Sequence, residues 1–558
     1  MSRKPRSVIG PASAAVTIAA VVVLFGRDQP IAQAEGPQML DPSLAVEAVV
    51  SGLTTPIGLA FIGSDDMLVI EKDTGRVRRI EHGVVTGSVL DLGVNSASER
   101  GLLGIALHPR FPRDPGVYLY WTCRTATTPS DPFFPDDRTC LDANMFLPDS
   151  ADTLQVPLLG NRVDRFVWNG STLTFDRNLI MLRAFQNDGA PNPPGQDDET
   201  QPPRANRNGG VIRFGPDRKL YIQMGDNGRR GQLQNLRNGP GGPTRFDDQF
   251  GGPEPDDAHL TGVILRLNDD GSAPKDNPFF KVGARMGGEV GANVQKIFAY
   301  GLRNGFGMAF DPYSAHLWEQ ENGDDSFSEL NRVEAGFNSG WVQLMGPPKR
   351  FEQFKAIETT VTPVPPDPFA PTYFGLQQLR WSPENLAGSA RAALARLYML
   401  PGAHYSAPEF SWKYEVAPGG IGFVKGRGLG RKYQGDLFVA AARPFLEGGH
   451  VFRFALTGNR RGVAPKDRRL RDLVADNLHK WEITESETLL IGRNFGVGTD
   501  VQAGPSGHLF IVSLSNGAIY EIRGTRAGGD RLDEDTRDDA EQNGGAGEED
   551  ADDSPGEN

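Results

Sequence analysis

Hydrophobic positions in this chain come in short runs, each ended by a Gly, Pro or Asp turn and followed by another run. Gly58-Leu59-Ala60-Phe61 precedes a turn at Ser64-Asp65-Asp66 and further apolar runs at 67–70 and 75–80. The same grouping recurs at GIALHP (104–109) with VYLYWT (117–122), and at VIRFGPD (211–217) with 220–224 and 263–267. It recurs again at GMAFDP (307–312) with 317–318, at 422–424 with 436–440 and 451–454, and at DVQAGP (500–505) with 509–512 and 518–522. These runs alternate about fixed turns and show little helical period, which predicts antiparallel strands. Six copies predict an all-β fold, a six-bladed β-propeller with long inter-strand loops, because a ring of blades leaves only short sheet edges. An irregular β-sandwich is the alternative. Two insertions, 124–161 and 347–401, interrupt the pattern.

The ends of the chain read differently. Arg3, Lys4 and Arg6 precede an apolar run at 8–25 and the small residues Ala32-Gln33-Ala34. Residues 1–34 therefore read as a secretory signal peptide, with an uncleaved membrane anchor as the alternative. The propeller is expected over 35–524, and 525–558 is expected to be an acidic disordered tail without aromatics. The net charge of -13 is concentrated in that tail, which holds 13 acidic and 3 basic residues, or -10. Residues 1–34 carry +3, so the body keeps only -6. It offers no basic stripe for nucleic acid. No second apolar run would span a bilayer, so no membrane span is expected in the mature chain. A secreted or periplasmic location follows. There the only two cysteines, Cys123 and Cys140, are expected either to pair or to remain as buried thiols. They are too few for a thiolate metal site.

Several polar segments sit at the ends of the predicted strands. They are ERGLLG (99–104) with His108-Pro109, GGVIRFGPD through GDNG (209–228), LRLN (265–268) with PKDNP (274–278), GLRNGFGMAF (301–310), and Glu321-Asn322-Gly323 with Glu329-Leu330-Asn331. In this order they resemble the soluble PQQ-dependent glucose/sorbosone (aldose sugar) dehydrogenase family of six-bladed propellers. The resemblance runs from about residue 53 to 522, is strongest over 95–345, and is thin over 346–420.

The resemblance implies an exported oxidoreductase acting on CH–OH groups. Such an enzyme oxidises the hydroxyl of an aldose or related sugar by hydride transfer to PQQ, and passes electrons to a quinone or cytochrome acceptor. PQQ is an anionic quinone, so it calls for cationic and amide donors, a hard cation such as Ca2+ at its carbonyl, and a base for the sugar proton. Arg303 and Asn304 match cofactor-binding positions, Lys425 matches a lysine on a cofactor carboxylate, and Arg443 fills a second cationic position. Gly323 and Asp324 match the positions whose carbonyls hold calcium, with Asp324 replacing the family's proline. Glu329 would support a second calcium or cap its loop. PKDNP reads as a turn.

The departure falls on the base. The family's histidine lies eight residues before the Gly of Gly-Pro-Asp, and here that position is Arg207. Guanidinium stays protonated and has no lone pair to offer. Asp226 matches the carboxylate that orients the histidine, and beside Arg207 it is expected to form an ion pair. Glu99 is the candidate substitute base, or else a turn-stabilising carboxylate. His108 reads as structural, and His259, His404 and His450 fall in loops. Weakened activity is therefore expected. The alternative is a catalytically inactive extracellular propeller acting as a ligand- or protein-binding module. A propeller hydrolase has little support, since no Ser/His/Asp arrangement stands out.

Overall fold

The computed structural model describes residues 36–124, 156, 159–184, 206–227, 260–359, 386–442 and 448–525. The signal segment, the acidic tail, Cys140, Gly228, His259 and Arg443 lie outside the described residues.

Six sheets follow one another along the chain, antiparallel except where Val474–Ala475 joins Phe410–Tyr414 in parallel at the outer edge of the fourth, each with its first strand innermost. These first strands are Pro56–Phe61, Leu102–Leu107, Ile212–Phe214, Gly307–Phe310, Pro418–Phe423 and Gly498–Ala503. They coincide with the six repeated copies in the sequence, and the fold is a six-bladed β-propeller. The glycines that recur in these copies have a steric reason. A Cβ on Gly104 would lie 2.1 Å from the carbonyl oxygen of Gly210, and one on Gly307 would lie 2.4 Å from that of Gly419. Neighbouring blades approach that closely only where a side chain is missing. Between the blades, apolar faces interlock. One core joins Leu103, Tyr120, Ile222, Val263 and Tyr300, and another joins Trp318, Phe410, Trp412, Phe423 and Phe452.

The ring is closed by the start of the chain. Leu44–Val50 pairs antiparallel with Ala518–Gly524 as the outer strand of the last blade, and Gln38–Met39 pairs with Leu490–Arg493 of the blade before it. Neither strand stood out in the sequence pattern. The fourth strands Val84–Asp91 and Leu173–Leu182 were also missed, being half-exposed and poor in continuous apolar runs.

Helices occur between strands. Phe280–Met286 and Gly288–Val294 fill the connection to Ile297–Tyr300, directly after the PKDNP segment. In that segment the amide of Asn277 donates to Pro274 at 3.0 Å, forming the expected turn. Phe351–Thr359 and Ala390–Arg396 lie in the second insertion. Cys123 is disulfide-bonded. Among the described residues, no helix is long and apolar enough to cross a membrane.

Candidate active site

A buried polar cluster lies on one rim of the ring, where first strands begin and second strands end. Glu99 precedes Leu102–Leu107, Arg207 precedes Ile212–Phe214, and Arg303 with Asn304 precedes Gly307–Phe310. Asp226 follows Leu220–Met224, and Gly323 with Asp324 follows Leu317–Glu321. Three successive blades thus contribute to one site. The chain reaches the rim through left-handed backbone: Arg207 has φ 58° and Gly209 has φ 64°. A Cβ on Gly209 would meet the Gln223 carbonyl oxygen at 2.5 Å, so this turn requires glycine.

Arg207 is 4% exposed. Its Nη1 donates to both oxygens of Asp226, at 3.3 and 3.2 Å, and its Nη2 donates to Asp324 Oδ1 at 2.9 Å. Burial alone would lower the guanidinium pKa, but Asp226, Asp324 and Glu99 more than offset it, and the net shift is upward. Arg207 is therefore a fixed cation. Arg303 also donates to Asp324 Oδ1, and its Nη1 donates to the Asn322 carbonyl at 2.6 Å. Its guanidinium lies 5.4 Å from the centre of the Trp341 ring. The Trp341 indole N–H donates to Asp226 Oδ2 at 2.8 Å, which ties the two guanidinium groups into one network.

Glu99 faces this network from the neighbouring blade. Its Oε2 accepts from the Arg207 amide at 2.7 Å and from Asn304 Nδ2 at 3.3 Å. Its Oε1 has no hydrogen bond among the described residues, and the residue is half-buried. Burial pushes its carboxyl pKa up, and Arg207 counters this only in part. Two further atoms, Arg303 Nε and Asn304 Oδ1, are buried without a hydrogen-bond partner. Buried polar atoms are rarely left unpaired, so this edge suits a polar ligand. The edge thus offers one donor and one acceptor to a ligand.

The Gly323–Asp324 loop is held by cations of the chain itself. The Asp324 carbonyl accepts from Lys480 Nζ at 2.9 Å, and the same ammonium donates to Asp325 Oδ1 at 2.8 Å. With Arg207 and Arg303 on its carboxylate, Asp324 is met by three positive groups. Calcium takes six to eight oxygen ligands, and this environment opposes it. Glu329 is fully enclosed, accepting from Asn331 Nδ2 at 3.0 Å and from the Gly346 amide. Burial pushes it up to about 7. Among the described residues, no group of three or more His, Cys, Asp or Glu side chains is arranged to hold a metal ion.

Lys425 is not part of the cluster. It is exposed and follows the end of Pro418–Phe423, on the opposite rim. There the amide of Gly426 donates to Tyr313 Oη at 3.3 Å, in the turn between Gly307–Phe310 and Leu317–Glu321. Matching a local FVKG string missed a simple rule: cluster residues precede first strands or follow second strands, and Lys425 follows a first strand. Lys480 and Trp341 were missed because no short motif surrounds them. His108 is buried between Asp114 at 3.3 Å and Asp269 at 3.5 Å, well outside the cluster.

A family model described as glucose/sorbosone dehydrogenase matches residues 53–131 and 197–347. An uncharacterized protein of Synechocystis sp. is 25% identical over 507 residues, covering 88% of this chain and 90% of that one. Quinoprotein glucose dehydrogenase B of Acinetobacter calcoaceticus is 25% identical over 57% of this chain, and the match spans only 56% of its own length. The crystal structure of the soluble aldose sugar dehydrogenase from Escherichia coli, in its apo form, shares the fold with a TM-score of 0.51 at 21% identity, covering 86% of this chain and 100% of that one. In sequence and in fold, this chain matches the PQQ-dependent glucose/sorbosone (aldose sugar) dehydrogenase family of six-bladed propellers.

Proposed function

We propose that this chain is an exported oxidoreductase that binds PQQ at the Arg303–Asn304 edge and oxidises a hydroxyl of an aldose or related sugar. The observation that carries the reading is the pair of buried, unpartnered atoms Arg303 Nε and Asn304 Oδ1 beside Glu99, in a chain of this family. Arg303 and Asn304 would hold the cofactor, which supplies a hydride acceptor when bound. The Glu99 carboxylate takes the sugar proton at Oε1, since Oε2 is held by the Arg207 amide and Asn304. A raised carboxyl pKa suits a general base working near neutral pH. Arg207 fixes the position of Glu99 through its amide, and its side chain takes no proton. A quinone or cytochrome is the expected electron acceptor.

The Arg207 lock on Asp226 and Asp324 favours a second reading, a propeller that binds a ligand without turning it over. Reconstitution separates the two. Purified protein mixed with PQQ should retain the cofactor's absorbance through gel filtration and reduce a dye with some member of a sugar panel. Retention without dye reduction on any sugar would favour the binding module, and no retention would sink the dehydrogenase reading.

A further inference from the structure

We infer that Lys480 is a built-in cation that takes the place of the calcium ion at the Gly323–Asp324 loop, so that this chain's site is metal-independent. Lys480 is 8% exposed. Its ammonium donates to the Asp324 carbonyl at 2.9 Å and to Asp325 Oδ1 at 2.8 Å, and lies 3.8 Å from Glu415 Oε2. Carbonyl and carboxylate oxygens are what a hard cation would take from this loop. Here one positive charge of the chain already holds them.

The lysine is delivered by a stapled segment. Asn477 Oδ1 accepts from the Tyr414 amide at 2.8 Å, while its Nδ2 donates to the carbonyls of Tyr414 at 3.1 Å and Glu482 at 2.8 Å. The Trp481 amide donates to the Glu415 carbonyl at 2.7 Å. These bonds fix residues 477–482 against the strand Phe410–Tyr414, so the ammonium is placed before any ligand arrives.

The loop is closed from its other side as well. Glu358 Oε1, on the helix Phe351–Thr359, accepts from the amides of Asp325 and Ser326 at 3.0 Å each and from Ser326 Oγ at 2.8 Å. A Cβ on Gly323 would fall 1.8 Å from the Ser326 carbonyl oxygen, so this tight turn requires glycine. The substitutions agree with one another. Asp324 stands where the family has proline, and its carboxylate binds Arg207 and Arg303, adding two more positive groups within the same few ångströms. A divalent ion would meet three cations there, and like charges at that range repel strongly in a buried site.

The test uses Tb3+ and Ca2+ alone as probes of the full exported chain, with Trp341 and Trp481 as sensitisers. Wild type should show no tryptophan-sensitised Tb3+ emission and no change in melting temperature between EDTA and excess Ca2+. Lys480→Met, which removes the charge and keeps the length, should gain emission that Ca2+ displaces. Ca2+-displaceable emission in wild type would overturn the inference, whether or not the variant folds. A second arm rests on the proposed cofactor reading. PQQ should be retained equally in EDTA and in Ca2+ by wild type, and by Lys480→Met at least tenfold more weakly in EDTA, with recovery in Ca2+. Retention by wild type only in Ca2+ overturns the inference and leaves the dehydrogenase reading intact. No retention in either condition sinks that reading alone, and the Tb3+ arm still decides the role of Lys480.

Discussion

Arg207 Nη2 donates to Asp324 Oδ1 at 2.9 Å, joining the ends of two different blades through one buried ion pair. Both side chains are almost fully enclosed, at 5% and 0% exposure. Breaking a buried pair by removing one partner typically costs about 3–5 kcal/mol. Arg207→Met and Asp324→Ala should each destabilise on that scale, and the double variant should lose less than the sum. Denaturant unfolding of the four proteins measures the coupling, and strict additivity would refute it.

The pairing changes what restoring the histidine would do. In Arg207→His alone, the imidazole would sit between Asp226 and Asp324, two carboxylates that hold it protonated. An imidazolium has no lone pair for a substrate proton. The single variant should therefore gain little dehydrogenase activity. Arg207→His with Asp324→Pro removes one carboxylate and should raise turnover, by less than the about 10²–10⁴-fold a placed base is usually worth, because Glu99 already takes the proton. An equal gain from the single variant would contradict this account.

Glu99→Gln keeps an oxygen for the Arg207 amide and for Asn304 while removing the titrating group. Sugar-dependent dye reduction should fall by about 10²–10⁴-fold with PQQ retention unchanged. A loss of retention in parallel with activity would make Glu99 a cofactor anchor rather than a base.

Stability should depend on pH through Glu319. Burial pushes this carboxyl up to about 8 from an ordinary 4.5, with Glu329 nearby reinforcing the shift. The folded protein then holds a proton that the unfolded chain releases above about 4.5. The contribution is full below that pH and is lost as pH rises through about 8, at up to about 1.4 kcal/mol per pH unit. Glu319→Gln should flatten this slope. Gln223, whose Nε2 donates to Glu319 at 3.0 Å and whose Oε1 is buried without a partner, can turn its amide to accept from the new side chain. Chemical unfolding at pH 5 and pH 8.5 is the measurement, and an unchanged slope in the variant would assign the pH dependence elsewhere.

The ring of blades was legible because each first strand combines an apolar run with a glycine that neighbouring blades require. Glu99, Arg207, Asn304 and Asp226 were named from the family resemblance, and the fold brings them together because the first three precede first strands and Asp226 follows a second strand. Lys425 misled because a four-residue string carries no information about which rim it occupies. Lys480 was hidden because its partners, Asp324 and Asp325, are over 150 residues away, and only the Asn477 staple brings it to them. The strands Gln38–Met39 and Leu44–Val50 were hidden for a related reason, since their partners lie at the far end of the chain.

Those two strands also set an order of events. Leu44–Val50 leaves the ribosome early, yet its partner Ala518–Gly524 is among the last described segments to be made. Until then the ring stays an open arc with an unpaired edge on its final blade. Sequential folding of blades during synthesis can proceed, but locking must wait for the end of translation. Until that last strand is made, an arc that has not closed can still be threaded.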